Sequence, residues 1–213
     1  MMEAWLKQLS IGIDQLHLTV PVTAQRSMLA FLEFLQTWNR SYNLTSVTAL
    51  QDMITYHLLD SLSIAPYLIG ARILDVGSGA GFPGIPLAFI YPDKQFVLLD
   101  SGGKKTRFLL QAVATFKLAN VNVVQSRMEN FKEGPCFDTI TCRAVGSLCE
   151  IVHNTQQLIC EDGQWLLMKG EYPPQELQRL AYPSIVRMLK VPGLTATRHL
   201  IVVSLPQGPS HDS

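Results

Sequence analysis

Apolar residues recur with two different periods along the chain, and the change of period divides it near residue 70. Up to that point they recur every three or four positions, which is typical of amphipathic helices. Helices are predicted over residues 2–13, 24–39, 49–60 and 61–68, with a break at Pro66. In the second of these, one face carries Met28, Leu29, Phe31, Leu32, Leu35 and Trp38. Because so short a stretch rarely builds a core of its own, we expect residues 1–70 to form a helical cap packed on the rest.

From residue 71 to about 205, short β-branched runs alternate with helical patterns. Strands are predicted over 72–76, 95–100, 121–125, 137–142, 164–168, 185–191 and 199–205, and helices over 83–91, 104–118, 147–159 and 174–181. Such alternation is typical of a doubly wound, mostly parallel α/β sheet. The last two strands are joined by a segment that contains Pro192-Gly193-Leu194 and shows no helical pattern, which favours an antiparallel edge. Residues 206–213 are polar, and we expect a disordered tail.

Composition places the chain among globular proteins. Of its 213 residues, 47% are hydrophobic and 16% are charged, which suits one α/β domain and excludes disorder. The formal net charge is zero, so nothing global indicates nucleic acid or a membrane surface. No apolar run approaches the roughly 20 residues of a membrane span, and no signal peptide opens the chain. We expect a cytoplasmic protein without membrane association.

The four cysteines show no pattern of their own. Cys136, Cys142, Cys149 and Cys160 have neither Cys-x-x-Cys spacing nor a paired-histidine pattern. The sequence therefore predicts reduced cysteines in a cytosolic compartment, and no metal site.

The most informative segment is 71–86, where an apolar run that carries Asp75 is followed by a glycine-rich turn. Its glycines are Gly77, Gly79, Gly81 and Gly84, and Pro83 and Pro86 then open a helical pattern. A strand, a turn and a helix N-terminus in this order bring backbone N–H groups close to a ligand. Glycine is needed because a side chain would block that approach. The segment predicts a nucleotide-like cofactor.

Two classes of cofactor fit this turn. Gly79-Ala-Gly81-Phe-Pro-Gly84 matches the pattern G-x-G-x-x-G, so a nicotinamide-dependent oxidoreductase is one alternative. However, Asp75 stands two positions before Gly77, and the string Asp75-Val-Gly-Ser-Gly-Ala-Gly81 resembles motif I of class I S-adenosylmethionine-dependent methyltransferases. Asp100 ends the second strand, where either class uses a carboxylate to bind ribose hydroxyls. No Tyr-x-x-x-Lys pair supports dehydrogenase chemistry, which favours the methyltransferase.

Further motifs occur in the order found in one known family. They are Trp38-Asn-Arg-Ser-Tyr-Asn-Leu-Thr45, His57-Leu-Leu-Asp-Ser-Leu62, Asp75 to Pro86, Leu98-Leu-Asp-Ser101 followed by Lys104-Lys-Thr-Arg-Phe-Leu109, and Arg143-Ala144. Together they resemble the bacterial small-subunit ribosomal RNA guanine-N7 methyltransferases, also called glucose-inhibited division protein B. The resemblance runs from about residue 2 to about 205. The pair Lys104-Lys105 departs from it, since the family more often has a basic pair ending in arginine.

The resemblance implies a class I, Rossmann-like fold with seven strands and an N-terminal helical cap. It also implies S-adenosylmethionine as cofactor, S-adenosylhomocysteine as product, and a guanine near the decoding site of 16S ribosomal RNA as target. No obligatory protein partner follows from it. The family's cofactor contacts fall on Gly77, Phe82, Met128, Glu129 and Arg143. To these the residue pattern adds Gly79 and Asp100, because ligands of open α/β sheets lie beyond the carboxyl ends of the strands.

The implied chemistry needs no general base. Guanine N7 presents a free lone pair and can attack a methyl group without losing a proton. Alignment of the reactants is then sufficient, and we nominate no catalytic acid or base. Thr141-Cys142-Arg143-Ala144 stands where enzymes that methylate exocyclic amines carry an Asn/Asp-Pro-Pro-aromatic string, so an amine target is not expected. One alternative is a pyrimidine-C5 methyltransferase with Cys142 as nucleophile; the other interpretation of Cys142 is a small buried strand residue.

Contacts to RNA are harder to predict. Basic residues that start the helix after Asp100, or lie near strand ends, are the candidates for phosphate contacts: Lys104, Lys105, Arg127 and Arg198. His57, beside two leucines, is expected to be packed rather than functional. A cofactor-binding protein that regulates without catalysing is a third alternative, although the glycines, Asp75, Asp100 and Arg143 are all present.

Overall fold

The computed structural model describes residues 2–132, 134–143 and 145–206, so that almost all of the predicted disordered tail lies outside the described residues. The helices are α1 (Met2–Gln15), α2 (Val22–Tyr42), α3 (Leu50–Met53), α4 (Asp60–Leu62), α5 (Gly84–Ile90), α6 (Gly103–Phe116), α7 (Leu148–Thr155) and α8 (Pro174–Arg179). A π-helical turn, Ile54–Leu59, joins α3 to α4. The strands are β1 (Arg72–Val76), β2 (Gln95–Asp100), β3 (Val121–Gln125), β4 (Phe137–Arg143), β5 (Ile159–Lys169), β6 (Ser184–Leu189) and β7 (Arg198–Ser204).

The strands form one seven-stranded sheet in the order β3-β2-β1-β4-β5-β7-β6. Strands β1 to β5 are parallel, and β7 runs antiparallel to both β5 and β6. The mostly parallel α/β sheet and its antiparallel edge are thus confirmed. The strand order reverses between β1 and β4, and a reversal of this kind opens a crevice at the carboxyl ends of the strands.

Element boundaries differ from the prediction where pairing extends a strand through polar residues. Strand β5 begins at Ile159 rather than 164, because Ile159 pairs with Phe137 across an irregularity in the register. The helix predicted over 147–159 accordingly ends at Thr155. The predicted helix 61–68 is also wrong: α4 ends at Leu62, and a separate 3₁₀ turn follows at Ala65–Tyr67, with Pro66 in its first turn.

Two of the cysteines are joined where β4 and β5 begin. Cys136 and Cys160 form a disulfide, with their Cα atoms 5.0 Å apart. The prediction that all four cysteines are reduced is therefore wrong for this pair. The two residues lie 24 positions apart, and only the pairing of β4 with β5 brings them together. Cys142 and Cys149 are free thiols.

The N-terminal helices pack directly on the α/β unit. Phe31 of α2 is fully buried, and its ring centroid lies 5.7 Å from that of Phe82, 6.1 Å from that of Phe108 and 5.9 Å from that of Phe116. Such aromatic clusters bury large apolar areas. Helix α2 therefore holds the cap against α5, α6 and the glycine turn. Across the described residues, no helix combines the length and apolar character that crossing a membrane requires.

Candidate functional site

The glycine turn begins directly after β1 and is fixed by hydrogen bonds to β2. The backbone N–H groups of Gly77 and Ser78 both donate to the carbonyl oxygen of Leu99, at 2.7 Å and 3.1 Å. Gly77 has φ +68°, and a Cβ there would lie only 2.4 Å from Cγ2 of Val145. Gly79 has φ +58°, but a Cβ there would meet only the carbonyl oxygen of Gly77, at 3.7 Å. Open space therefore lies beside Gly79, as a ligand-binding turn requires.

Asp75 stabilises the glycine turn through buried hydrogen bonds. Its side chain is fully buried and accepts hydrogen bonds from the Gly84 N–H at 3.1 Å and the Thr141 hydroxyl at 3.2 Å. Burial raises the pKa of Asp75 to about 7, although hydrogen bonds from Ser78, Gly84 and Thr141 oppose the shift. Asp75 therefore ties the turn to α5 and β4 and does not face a ligand.

The raised pKa of Asp75 predicts a dependence of stability on pH. Between the ordinary value of 3.8 and about 7, the folded chain binds a proton at Asp75 that the unfolded chain lacks. The free energy of unfolding must therefore fall as the pH rises through about 7. Urea unfolding of the wild type between about pH 5 and pH 8 should show a larger loss of stability than Asp75→Asn, which cannot titrate. Parallel pH profiles of the two proteins would contradict this assignment.

Asp100, at the end of β2, joins the glycine turn to the loop that starts α6. Oδ2 accepts a hydrogen bond from the Gly79 N–H at 2.9 Å, and Oδ1 accepts one from the Gly102 N–H at 2.8 Å. The ammonium group of Lys105 lies 3.8 Å from Oδ2. Since each carboxylate oxygen can accept a second hydrogen bond, Asp100 can bind ligand hydroxyls while it holds both loops.

A cavity of about 230 Å³ opens at the ends of β1, β2 and β3, and we call it the cofactor cavity. The predicted site residues that line it are Gly77, Asp100, Lys105, Arg127, Met128 and Glu129. Val145 and Glu150 close it from the side of β4 and α7. Arg127 and Glu129 face each other across 3.9 Å, and both are well exposed. The cavity offers bare backbone at Gly77, a carboxylate at Asp100 and an apolar thioether at Met128, and this set suits a nucleoside.

Other predicted residues lie outside this cavity. Phe82 is buried behind the turn, where its ring stacks on that of His57 at a centroid distance of 4.5 Å. The guanidinium carbon of Arg143 lies 5.1 Å from the same ring. Lys104 is exposed at the start of α6. Gly79 does not line the cofactor cavity itself, but its N–H donates to Asp100, which does, and open space lies beside it. The assignments of Phe82 and Arg143 to the cofactor stay predictions.

A second cavity, of about 380 Å³, lies at the ends of β4, β5 and β7, under the cap. We call it the arginine cavity; its lining is Val47, Tyr56, His57, Asp60, Arg143, Met168, Lys169, Gly170, Leu189, Arg198 and His199. Asp60, almost fully buried, accepts hydrogen bonds from Arg143 at 3.0 Å and from Arg198 at 3.2 Å. One carboxylate of the cap therefore orients two arginines of the sheet. Asp60 was not among the predicted site residues, and its only signal in the sequence is its place in the motif that starts at His57.

His57 is a neutral, packed residue on the wall of this cavity. It is 8% exposed, as expected, and burial together with the charge of Arg143 lowers its pKa to about 4. Its Nε2 atom lies 2.8 Å from the Thr45 hydroxyl, which itself accepts a hydrogen bond from the Val47 N–H at 3.1 Å. Because the ring can exist as either tautomer, Nε2 either accepts a hydrogen bond from the Thr45 hydroxyl or donates one to it. In both cases Nε2 is engaged by Thr45.

Cys142 is unsuited to nucleophilic attack in this setting. It is 2% exposed within β4, and burial together with the neighbouring Asp75 raises its pKa to about 12. A thiolate is the nucleophilic form, so this thiol is unreactive at neutral pH. The interpretation of Cys142 as a small buried strand residue fits the structure.

The two cavities lie on opposite sides of the pair formed by β1 and β4, where Val76 is the register partner of Cys142. This pair marks the reversal of strand order, where open α/β sheets bind their ligands. The glycine turn and Asp100 belong to one side, and the arginine pair belongs to the other. The arrangement can hold a nucleoside cofactor next to a second, anionic or electron-rich ligand.

Solved structures with the same architecture include methyltransferases. The chain is similar to the methyltransferase domain of METTL16, with a TM-score of 0.59, 16% identity and coverage of 83% of this chain and 97% of that one. It is also similar to a SAM-dependent methyltransferase from Aquifex aeolicus, with a TM-score of 0.55, 18% identity and coverage of 70% and 91%. The sheet, the glycine turn and the cofactor cavity together define the fold of the class I S-adenosylmethionine-dependent methyltransferases.

The sequence comparisons narrow this class. A family model described as rRNA small subunit methyltransferase G matches residues 24–201. A Ribosomal RNA small subunit methyltransferase G of Coxiella burnetii is 58% identical over 202 residues, covering 95% of this chain and 99% of the relative. One of Stutzerimonas stutzeri is 45% identical over 208 residues, covering 94% and 96%. The chain belongs to the rRNA small subunit methyltransferase G family. This confirms the predicted family resemblance. It also confirms the prediction of a methyltransferase and excludes the alternative of a nicotinamide-dependent oxidoreductase.

Proposed function

We propose that the chain transfers the methyl group of S-adenosylmethionine to N7 of a guanine near the decoding site of 16S ribosomal RNA, and releases S-adenosylhomocysteine. The observation that carries the proposal is the pair of cavities on either side of β1 and β4, one suited to a nucleoside and one lined by paired arginines. The substrate is the RNA of the small ribosomal subunit, and the site of action is the cytoplasm. No protein partner is required.

On the cofactor side, we assign the ribose hydroxyls to Asp100 and the close backbone approach to Gly77 and Gly79. Met128 provides an apolar surface for the adenine ring, and Glu129 provides a polar group beside it. The bound cofactor supplies an electrophilic methyl group on its sulfonium. The role of this chain is to hold that group at the carboxyl ends of β1 and β4, where the arginine cavity begins.

On the acceptor side, we assign the target guanine to the arginine cavity. Tyr56 is 44% exposed there and offers a ring on which a base can stack. Arg143 and Arg198 are only partly covered, at 19% and 23% exposure, and guanidinium groups are common partners of guanine O6. Because Arg143 lines the arginine cavity and not the cofactor cavity, we assign it to the guanine in place of the cofactor contact that the resemblance implied. Because Asp60 balances only one of these two charges, the cavity remains attractive to a polyanion.

The reaction needs no proton acceptor from the chain. The N7 lone pair forms a bond to the methyl carbon while the bond from that carbon to sulfur breaks, and the electron pair of the broken bond stays on sulfur. The guanine gains the positive charge, and no proton moves. Two observations support this proposal: Asp60 is engaged by two arginines, and burial together with the charge of Arg143 lowers the pKa of His57 to about 4, which makes it a weak proton acceptor. Alignment of the two reactants is therefore the main catalytic contribution.

The alternative of a pyrimidine-C5 reaction is tested at Cys142. Replacement of Cys142 with serine removes the thiolate that a C5 reaction needs, but it changes the buried volume of β4 very little. We expect Cys142→Ser to keep methyl transfer within about twofold of the wild type, measured with labelled S-adenosylmethionine and small ribosomal subunits. Loss of transfer in a folded variant that still binds the cofactor would restore the C5 mechanism.

The proposed substrate is tested by comparing acceptors. Labelled S-adenosylmethionine is incubated with the chain and either naked 16S ribosomal RNA or small subunits, both prepared from cells that lack this protein. Label in at least one of these acceptors supports the proposal. Acceptors from cells that contain the protein should take up little label, because their target is already methylated. Equal incorporation into both sets would contradict the proposed target.

We further propose that residues 1–70 and 71–205 act as one structural domain. The aromatic contacts of Phe31 and the hydrogen bonds of Asp60 to Arg143 and Arg198 support this view, since both sets join the cap to the sheet. The cap is then part of the acceptor site and not only a cover.

A further inference from the structure

The cap contains a polar cavity that the proposed reaction does not use. It lies at the C-terminal end of α2, has a volume of about 560 Å³, and is lined by Gln36, Asn39, Arg40, Asn43, Thr45, Ser46 and Thr48. Each of these side chains is an amide, a hydroxyl or a guanidinium group, and the lining contains no carboxylate. We call it the cap cavity.

Internal hydrogen bonds build the loop around this cavity. The side-chain amide of Asn39 donates to the Thr45 carbonyl and its oxygen accepts from the Thr45 N–H, both at 2.9 Å. The amide of Gln36 donates to the Thr48 carbonyl, also at 2.9 Å. Asn43 has φ +50° and closes the helix through its N–H, which donates to the Asn39 carbonyl at 3.2 Å. The shape of the loop is therefore set by the chain itself.

The remaining polar groups of the cap cavity point to a partner. Arg40, Asn43, Ser46 and Thr48 are exposed, and among the described residues their side chains make neither a hydrogen bond nor an ion pair within the chain. Amides and hydroxyls suit ribose hydroxyls and phosphate oxygens, and a guanidinium suits phosphate. This chemistry favours an RNA backbone.

The cap cavity adjoins the arginine cavity. Val47 lines the arginine cavity, while its neighbours Ser46 and Thr48 line the cap cavity. Thr45, another lining residue of the cap cavity, contacts His57 on the wall of the arginine cavity, with 2.8 Å between the hydroxyl oxygen and Nε2. Residues 45–48 are thus a shared wall, so a strand that enters one cavity passes the other.

We propose that the cap cavity binds the backbone of the ribosomal RNA that flanks the target guanine, with Arg40 on a phosphate and Asn43, Ser46 and Thr48 on phosphate and ribose oxygens. The inference rests on the proposed function, and it names a binding surface outside both cavities of the reaction. It also explains how a chain of zero net charge attracts RNA, since the attraction is local.

The test measures equilibrium binding of unmethylated small subunits to Arg40→Ala by filter binding over a series of salt concentrations. The slope of log K against log salt is negative, and loss of one phosphate contact should reduce its magnitude by about 0.7–0.9. In methyl transfer, the KM for subunits should rise roughly fivefold or more, while kcat and the affinity for S-adenosylmethionine stay unchanged. The matched control is Arg26→Ala, because Arg26 lies on the same helix, is exposed and pairs with Glu3 at 3.2 Å.

The outcomes separate this inference from the proposed function. If Arg40→Ala and Arg26→Ala give the wild-type slope and the wild-type KM, the cap cavity does not bind RNA, although the wild type still methylates. If the wild type transfers no methyl group, the proposed function fails, and the salt dependence of binding still decides the role of Arg40. Ser46→Ala with Thr48→Ala gives a second variant, and it should weaken binding without changing the salt slope. Unchanged binding of this double variant would also count against the inference.

Discussion

Replacement of Asp100 with alanine is expected to weaken S-adenosylmethionine binding by about 100-fold or more. Asp100 accepts hydrogen bonds from the N–H groups of Gly79 and Gly102, and it is the carboxylate that we assign to the ribose. A hydrogen bond to a charged group contributes about 1.5–3 kcal/mol, so two lost contacts account for an effect of this size. Isothermal titration calorimetry with S-adenosylmethionine and S-adenosylhomocysteine measures it directly.

Two further variants sharpen this prediction. Asp93→Ala removes an exposed carboxylate near the opposite end of β2 and should leave cofactor affinity unchanged. Asp100→Asn keeps one acceptor oxygen and should fall between alanine and the wild type. Cofactor affinity of Asp100→Ala within about threefold of the wild type would show that Asp100 does not hold the cofactor.

Replacement of Asp60 with alanine should reduce kcat/KM for methyl transfer to small subunits by about 100-fold, with cofactor affinity within about threefold of the wild type. Arg143 and Arg198 come from different strands, and the Asp60 carboxylate brings them together at 3.0 Å and 3.2 Å. Without it, two like charges repel each other in a partly buried site, and removal of one partner from a buried ion pair costs about 3–5 kcal/mol. Steady-state kinetics measures kcat/KM for subunits, and calorimetry measures the affinity for S-adenosylmethionine.

The control for Asp60 is Asp52→Ala, which removes an exposed carboxylate from α3 of the same cap. Its transfer rate should match that of the wild type. Because Asp60 also joins the cap to the sheet, thermal unfolding must accompany the kinetics, and Asp60→Asn provides a milder variant. A folded Asp60→Asn or Asp60→Ala protein with wild-type kcat/KM would show that the arginine pair is not part of the acceptor site.

The elements nearest the cofactor were predictable because their signals are local. Strands β1 and β2 have the predicted bounds of 72–76 and 95–100, since buried parallel strands are continuous apolar runs. The glycines after β1 are needed for the turn itself: Gly77 has a positive φ and no room for a Cβ. Asp100 was identified by its place at the end of β2. Each of these predictions used a few adjacent residues.

The arginine cavity was not predictable, because it is assembled from distant parts of the chain. Asp60 and Arg198 are 138 positions apart, and their contact depends on where β7 enters the sheet. The insertion of β7 between β5 and β6 left no trace in the apolar pattern. The same reason explains the disulfide of Cys136 and Cys160, which follows from strand register rather than from cysteine spacing.

The sequence also could not show where the basic residues predicted to contact RNA lie relative to the two cavities. Lys105 and Arg127 line the cofactor cavity, Arg198 lines the arginine cavity, and Lys104 lines neither. Lys104, Lys105 and Arg127 follow the carboxyl ends of β2 and β3, and Arg198 begins β7. Their positions along the chain could not show which cavity each of them lines. Their contacts to RNA stay predictions.

The measurement that tests the central claim most directly identifies the methylated base. Small subunits from cells that lack this protein are labelled with the wild-type chain and S-adenosylmethionine, and the RNA is digested to nucleosides and separated. The cofactor cavity lies beside the arginine cavity, no catalytic proton acceptor is proposed, and Cys142 is an unreactive thiol. This arrangement predicts label in 7-methylguanosine alone. Label in a C5-methylated pyrimidine, or in no nucleoside, would contradict it.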